Sequence, residues 1–187
     1  MTSSYPGKIS NWLEANQAFV KDVFPSLPQP WHMAQRRLLA KQSGQTTLVL
    51  TCLDPRCVPE AFFGPGFDGG VIRNAGGRAT DDAIRSLTAL RGLAGLKNVV
   101  VIHHTGDADC GVMHLKPDEI IETVAVEGAE AKRAAEKIDY KLFSFDEFEE
   151  SIKEDVRLLR NAKSLAGVNV FGFKLDTFTG EIEPVEV

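Results

Sequence analysis

Thr46-Thr47-Leu48-Val49-Leu50-Thr51-Cys52-Leu53-Asp54-Pro55-Arg56 is the stretch around which the chain is organised. Residues 46–51 read as a short buried strand, because the run is apolar, rich in β-branched residues and too short for a helix. Pro55 keeps the chain from continuing in regular structure. A thiol, a carboxylate and a guanidinium therefore sit where a strand stops. A cysteine thiolate is a strong zinc ligand. A carboxylate two residues on can orient a metal-bound water, and an arginine can hold that carboxylate in place. Alone, C-x-D-x-R is weak evidence. It gains weight because a second apolar strand, Val99-Val100-Val101-Ile102, runs into His103-His104, with Cys110 close behind.

Further strands and helices alternate with these two. Val71-Ile72-Arg73 is a short strand followed by Asn74-Ala75-Gly76-Gly77. Thr80 is the expected N-cap of the next helix, with Asp81 and Asp82 in its first turn and an apolar stripe of Ile84, Leu87, Leu90 and Leu93. Gly95 marks its stop. Pro117 starts another helix, with 127–137 as a solvated continuation. Ser144-Phe145-Asp146-Glu147 is a capping box ahead of Phe148, Ile152, Val156 and Leu159. Residues 168–175 form a last long strand, and Thr179-Gly180 turns the chain into a hairpin with 182–187. Before all this, Ile9 to Val20 is an amphipathic helix with Ser10 as N-cap. A proline-rich connection follows at 24–31, then a short helix over Met33 to Lys41. The expectation is an α/β fold, a mainly parallel central sheet flanked by helices, forming one domain over 1–187 with an N-terminal helical arm at about 1–45. Ligands of such folds gather at the carboxyl ends of strands, where Cys52 and His104 both lie.

Gly64-Pro65-Gly66-Phe67-Asp68-Gly69 is formally G-x-G-x-x-G, but it does not lie between a strand and a helix and contains a proline. It reads as a loop, not a dinucleotide fingerprint. Phe62, Phe63 and Phe67 read either as walls of an apolar pocket or as plain core packing, with packing preferred.

At 187 residues, with 43% hydrophobic residues and net charge -5, the chain suits one globular core. No basic block favours nucleic acid. No apolar run approaches the ~20 residues that span a bilayer, so no membrane partner is expected. The opening Met1-Thr2-Ser3-Ser4-Tyr5-Pro6 lacks a signal-peptide pattern, which makes a cytoplasmic location the expectation. Three cysteines do not make a disulfide framework, so metal binding or catalysis is the better reading.

Cys52, His104 and Cys110 make a Cys2His set, which leaves a fourth position open on tetrahedral zinc. Asp54 is then the acceptor for the metal's water and Arg56 its clamp. If Arg56 lets go, Asp54 can itself become the fourth ligand and close the site.

These pieces together resemble the β-class carbonic anhydrase family. The matching segments are 52–56, 71–77, His103-His104-Thr105 with Asp109-Cys110-Gly111, the helix from Thr80, and Ser151-Ile152, Asp155-Val156 and Thr179-Gly180 near the end. The resemblance implies a Zn2+ lyase, dimeric or built from dimers, that hydrates CO2 to bicarbonate with a zinc-bound hydroxide. Relatives in that family hydrolyse carbonyl sulfide or carbon disulfide, releasing hydrogen sulfide, and this is the alternative activity. A non-catalytic zinc protein is a third reading, opposed by Asp54 and Arg56. One departure stands out: the family pattern is H-x-x-C, whereas five residues, 105–109, separate His104 from Cys110. The simplest reading is a three-residue insertion that leaves both ligands on the metal. A reshaped pocket mouth and a weakened site are the alternatives.

The remaining candidates have plainer readings. His103 faces away from His104, since successive strand residues alternate, and belongs to the core or behind the ligands. Cys57 is a packing cysteine. His32 and His114 are surface or loop residues, and Asp107 and Asp109 belong to the loop. Asn74 shapes its turn, while Arg73 lines the site or fixes the same turn.

Overall fold

The computed structural model describes residues 6–26, 42–64, 66–105, 116–141 and 147–187. The chain divides into two units, Met1–Arg36 and Arg37–Val187. The first contains α1, Gly7–Ala18, which runs on through a wider turn at Phe19–Val23 and a tight one at Phe24–Ser26. The helix begins three residues before the expected Ser10 cap, after Pro6, whose fixed φ suits a helix entrance. None of its residues is buried, and Trp12 is 61% exposed. The helix expected over 33–41 lies outside the described residues.

The second unit is the expected α/β fold. Its strands are β1 (Thr47–Cys52), β2 (Gly70–Asn74), β3 (Asn98–His104), β4 (Asn169–Leu175) and β5 (Ile182–Val185). They lie in the order β2-β1-β3-β4-β5, all parallel except the β4–β5 hairpin. Parallel neighbours need crossovers, and helices supply them. The helices are α2 (Pro59–Phe62), α3 (Asp81–Ala94), α4 (Pro117–Ala125), α5 (Ala129–Ala135) and α6 (Phe148–Asn161).

Local signals set most boundaries. Thr80 caps α3, accepting a hydrogen bond from the Ala83 N–H at 3.3 Å. Gly95 ends it in the left-handed region, at φ 66°. The stretch expected to continue α4 instead breaks at Gly128, φ 119°, and restarts as α5. The capping-box residue Ser144 lies outside the described residues, and α6 starts at Phe148 with no side-chain cap from Glu147.

One face of the sheet is closed. Leu48, Leu50, Val99, Val101 and Val170 pack under α3 and α6, against Ala83, Leu87, Ile152, Val156 and Leu159. Full burial of each such side chain contributes about 1.5–3 kcal/mol. The stripe on α3 is narrower than expected: Leu93 is 52% exposed, and Ala83 takes a core place instead. The other face carries Val49, Ile102 and Leu175 with Cys52 and Cys57, partly covered by Phe62, Phe67, Phe173 and Ile182. No helix among the described residues is long and apolar enough to cross a membrane.

Candidate metal centre

Strand register brings the two ligand-bearing ends together. β1 and β3 pair from Thr47 with Asn98 to Thr51 with Ile102, so Cys52 ends one strand beside the end of the other. On its opposite edge Cys52 pairs with Asn74. Cys52 and His104 are fully buried and share a hydrogen bond. Burial pushes the Cys52 thiol up. The bond and charge of His104, with the N–H groups of Asp54 and Gly76, outweigh that and hold it below its ordinary value. Burial likewise opposes charge on His104, but the Cys52 partner and the Thr105 carbonyl raise its pKa.

The Gly76 N–H reaches Cys52 because the turn after β2 is built from glycines. Gly76 and Gly77 have φ of 78° and 71°. A Cβ on Gly77 would stand 2.9 Å from the Thr51 carbonyl carbon, so only glycine allows this turn to lie on β1.

The two adjacent histidines part company as expected from strand alternation. His103 is buried on the closed face, its Nδ1 2.8 Å from Ser151 Oγ and its Nε2 3.2 Å from Asp155 Oδ2. Arg78 Nε donates to the same Asp155 oxygen at 2.7 Å, and its Nη2 reaches Glu154. His104 points its Nδ1 at the Thr105 carbonyl, 3.0 Å away. A carbonyl only accepts, so Nδ1 carries the hydrogen and the neutral ring presents its lone pair at Nε2.

Beyond Cys52 the chain curls back on itself. The Asp54 N–H lies 3.4 Å from Cys52 Sγ. Arg56 grips Asp54 with a two-point fork, Nε to Oδ1 at 2.9 Å and Nη2 to Oδ2 at 3.0 Å, and its main-chain N–H adds a third bond to Oδ1 at 2.8 Å. This grip outweighs partial burial and holds the Asp54 carboxyl down at about 2. Arg73, from β2, donates to three successive carbonyls: Cys52 at 3.0 Å, Leu53 at 2.9 Å and Asp54 at 2.6 Å. Arg73 thus shapes the loop. Asn74 fixes the next turn through the Arg78 carbonyl at 2.8 Å.

A buried thiol beside an imidazole whose Nδ1 is engaged by a carbonyl offers the sulfur and nitrogen donors that suit tetrahedral zinc. Cys110, the third expected ligand, lies outside the described residues, as do His32, His114, Asp107 and Asp109. Among the described residues no group of three His, Cys, Asp or Glu side chains is arranged to hold a metal. Cys57 is a buried thiol, pushed up to about 12 by burial and by the nearby negative charges of Cys52 and Asp54. Phe62 and Phe67 pack against the cluster that holds Cys52. Phe63 and Phe67 line a cavity of about 340 Å3 that opens by Thr47, Val49 and Val100, toward the start of β1. The 64–69 segment is a loop, with Phe67 N–H bonded to the Gly64 carbonyl at 3.1 Å.

No family model matches the chain. It is 41% identical over 86 residues to the carbon disulfide hydrolase of Saccharolobus solfataricus, covering 46% of this chain and 41% of that protein. It is 28% identical over 140 residues to β-carbonic anhydrase 1 of Mycobacterium tuberculosis, covering 73% and 80%. The crystal structure of carbonic anhydrase from Streptococcus mutans superposes along the whole of both chains, with a TM-score of 0.74 and 29% identity. The chain is similar in sequence and in fold to β-class carbonic anhydrases, and over a shorter stretch to carbon disulfide hydrolases. A Cys-x-Asp-x-Arg turn and a strand-end His are neighbours here. The chain spans less than half the length of the carbon disulfide hydrolase it matches. Sequence reasoning missed Arg78 and quoted Thr105 and Asp155 only as parts of matching segments, because the Arg78–Asp155 and Thr105–Thr177 pairs join residues far apart in the chain.

Proposed function

We propose that this protein is a zinc enzyme that adds water to CO2, giving bicarbonate and a proton. The observation that carries the reading is the Asp54–Arg56 fork standing one turn from the hydrogen-bonded Cys52–His104 pair. In this reading Cys52, His104 and Cys110 hold the metal. When bound, zinc acidifies a water and so supplies a nucleophile at neutral pH. Asp54 stays ionised and accepts an O–H, fixing the direction in which the oxygen lone pair points. Arg56 holds Asp54 in that accepting pose; released from Arg56, Asp54 would be free to serve as a fourth ligand. Arg73 sets the loop geometry that keeps Asp54 beside Cys52.

Hydrolysis of carbon disulfide or carbonyl sulfide is the second reading, supported by the 41% identity to a protein of that name. These molecules are linear and electrophilic at carbon like CO2, so the same residues serve. Full-length zinc-loaded protein, assayed side by side for CO2 hydration by stopped flow and for sulfide release, separates the readings. CO2 turnover supports the first and exclusive sulfide release the second. Inactivity on all three, with zinc bound, points to a non-catalytic metal. Cys52→Ser should lose zinc, and full occupancy in that variant would overturn the ligand set.

The active form is proposed to be a homodimer or dimer of dimers. Support comes from α1, which buries none of its residues, and the turn after it: Trp12, Leu13 and Val20 are exposed. A cytoplasmic setting is part of this reading, since three cysteines suit metal binding better than a disulfide framework.

A further inference from the structure

The hairpin turn between β4 and β5 approaches the strand that carries His104. Asp176 builds this turn: its Oδ1 accepts from the N–H groups of Phe178 at 2.7 Å and Thr179 at 3.0 Å, and its carbonyl accepts from Gly180 at 2.8 Å. The turn so formed presents Thr177 to Thr105 in two places. The Thr177 N–H donates to Thr105 Oγ1 at 3.2 Å, and Thr177 Oγ1 donates to the Thr105 carbonyl at 3.0 Å. That carbonyl is the one that accepts from His104 Nδ1. Thr105 is further tied to β4, its N–H donating to the Leu175 carbonyl at 2.8 Å.

We infer that Thr177 is a positioning residue for the metal centre: its hydroxyl locks the Thr105 carbonyl in the direction that keeps the hydrogen on His104 Nδ1 and the lone pair on Nε2. This rests on the reading of His104 as a ligand. A His ligand binds through one nitrogen only if the other is held in its protonated form and the ring is held in plane. Groups that do this from behind the ligand typically set metal affinity by ~10–100-fold. The Thr105 carbonyl is that group here. Its own direction rests on a peptide at the very end of a strand, where the ladder no longer holds it. Thr177 replaces the missing ladder bond. The Thr179-Gly180 turn thus reaches beyond ending a strand to the ligand's tautomer.

The test uses full-length Thr177→Val and Thr177→Ser, with Cys52→Ser as reference. Valine keeps the shape and the main-chain N–H bond to Thr105 but removes the hydroxyl donor; serine restores the donor. Zinc affinity is measured by competition with a chromophoric chelator, and the visible bands of the Co(II)-substituted protein report ligand geometry. Thr177→Val should bind zinc ~10-fold more weakly with altered cobalt bands, and Thr177→Ser should match wild type in both. Thr177→Val with unchanged affinity and bands, while Cys52→Ser loses the metal, overturns this inference and leaves the ligand reading standing. Wild type whose zinc binding is indifferent to Cys52→Ser overturns both. Should Thr177→Val weaken binding without rescue by serine, the role is general packing and the inference fails. Thermal midpoints of the metal-free variants show that Val and Ser are equally folded before affinities are compared.

Discussion

His103 and His104 are consecutive residues of β3, equally buried, yet the two faces they serve behave in opposite ways. On the closed face, burial lowers the His103 pKa, and the Asp155 carboxylate fails to reverse this because Arg78 adds a positive charge beside it. The His103, Ser151, Arg78 and Asp155 side chains there tie α6 and the turn after β2 against the sheet. On the other face, burial also disfavours charge on His104, but its partner is the Cys52 thiol, and the two groups favour each other's charged forms. Among the described residues two guanidinium groups stand nearby, and both are committed: Arg56 to Asp54, and Arg73 to the Cys52, Leu53 and Asp54 carbonyls. Equal burial therefore does not decide whether a histidine is structural or reactive. The sign and commitment of the facing charges do.

Changes aimed at one face should leave the other intact, and their sizes differ. The largest effect is expected from Asp155→Ala. It leaves Arg78 and His103 buried without their shared anion, a loss of about 3–5 kcal/mol in denaturant unfolding. An unchanged midpoint would mean that the closed face is not held by charge. Next comes Asp54→Asn on the open face: kcat/KM should fall about 100-fold or more, while zinc content and the unfolding midpoint stay near wild type. Near-normal turnover in this variant would place the acceptor elsewhere and dissolve the distinction. The smallest is Thr80→Ala, which removes the cap of α3 and should cost about 1 kcal/mol of stability with no change in zinc affinity. A drop in zinc affinity here would mean that the two faces are coupled through α3.

Local chemistry made much of this legible beforehand. The strand before Cys52, the strand before His104, the Thr80 cap and the Gly95 stop depend on residues within one turn or one strand of each other. The misreadings were local contests as well. Ser10 lost its cap role because Pro6 already pre-sets a helix start, and the 127–137 stretch broke because Gly128 takes a backbone angle that ends a helix. The Leu93 position followed the helical period but is half exposed, since no described element covers that side of α3.

By itself the sequence determined a mainly parallel α/β sheet with a thiol and an imidazole at the carboxyl ends of two strands, and a carboxylate with its arginine two and four residues past the thiol. These are short-range facts, set by periodicity, backbone preference and the fixed reach of a turn. Only the tertiary structure decided which groups stand behind that set. Arg73 binds the Cys52 and Asp54 carbonyls from 21 and 19 residues away, Arg78 meets Asp155 across 77, and Thr177 meets Thr105 across 72. Sequence separation carries no information about distance once a sheet has folded strand against strand, so the supports of the site became visible only when register and crossover had been set.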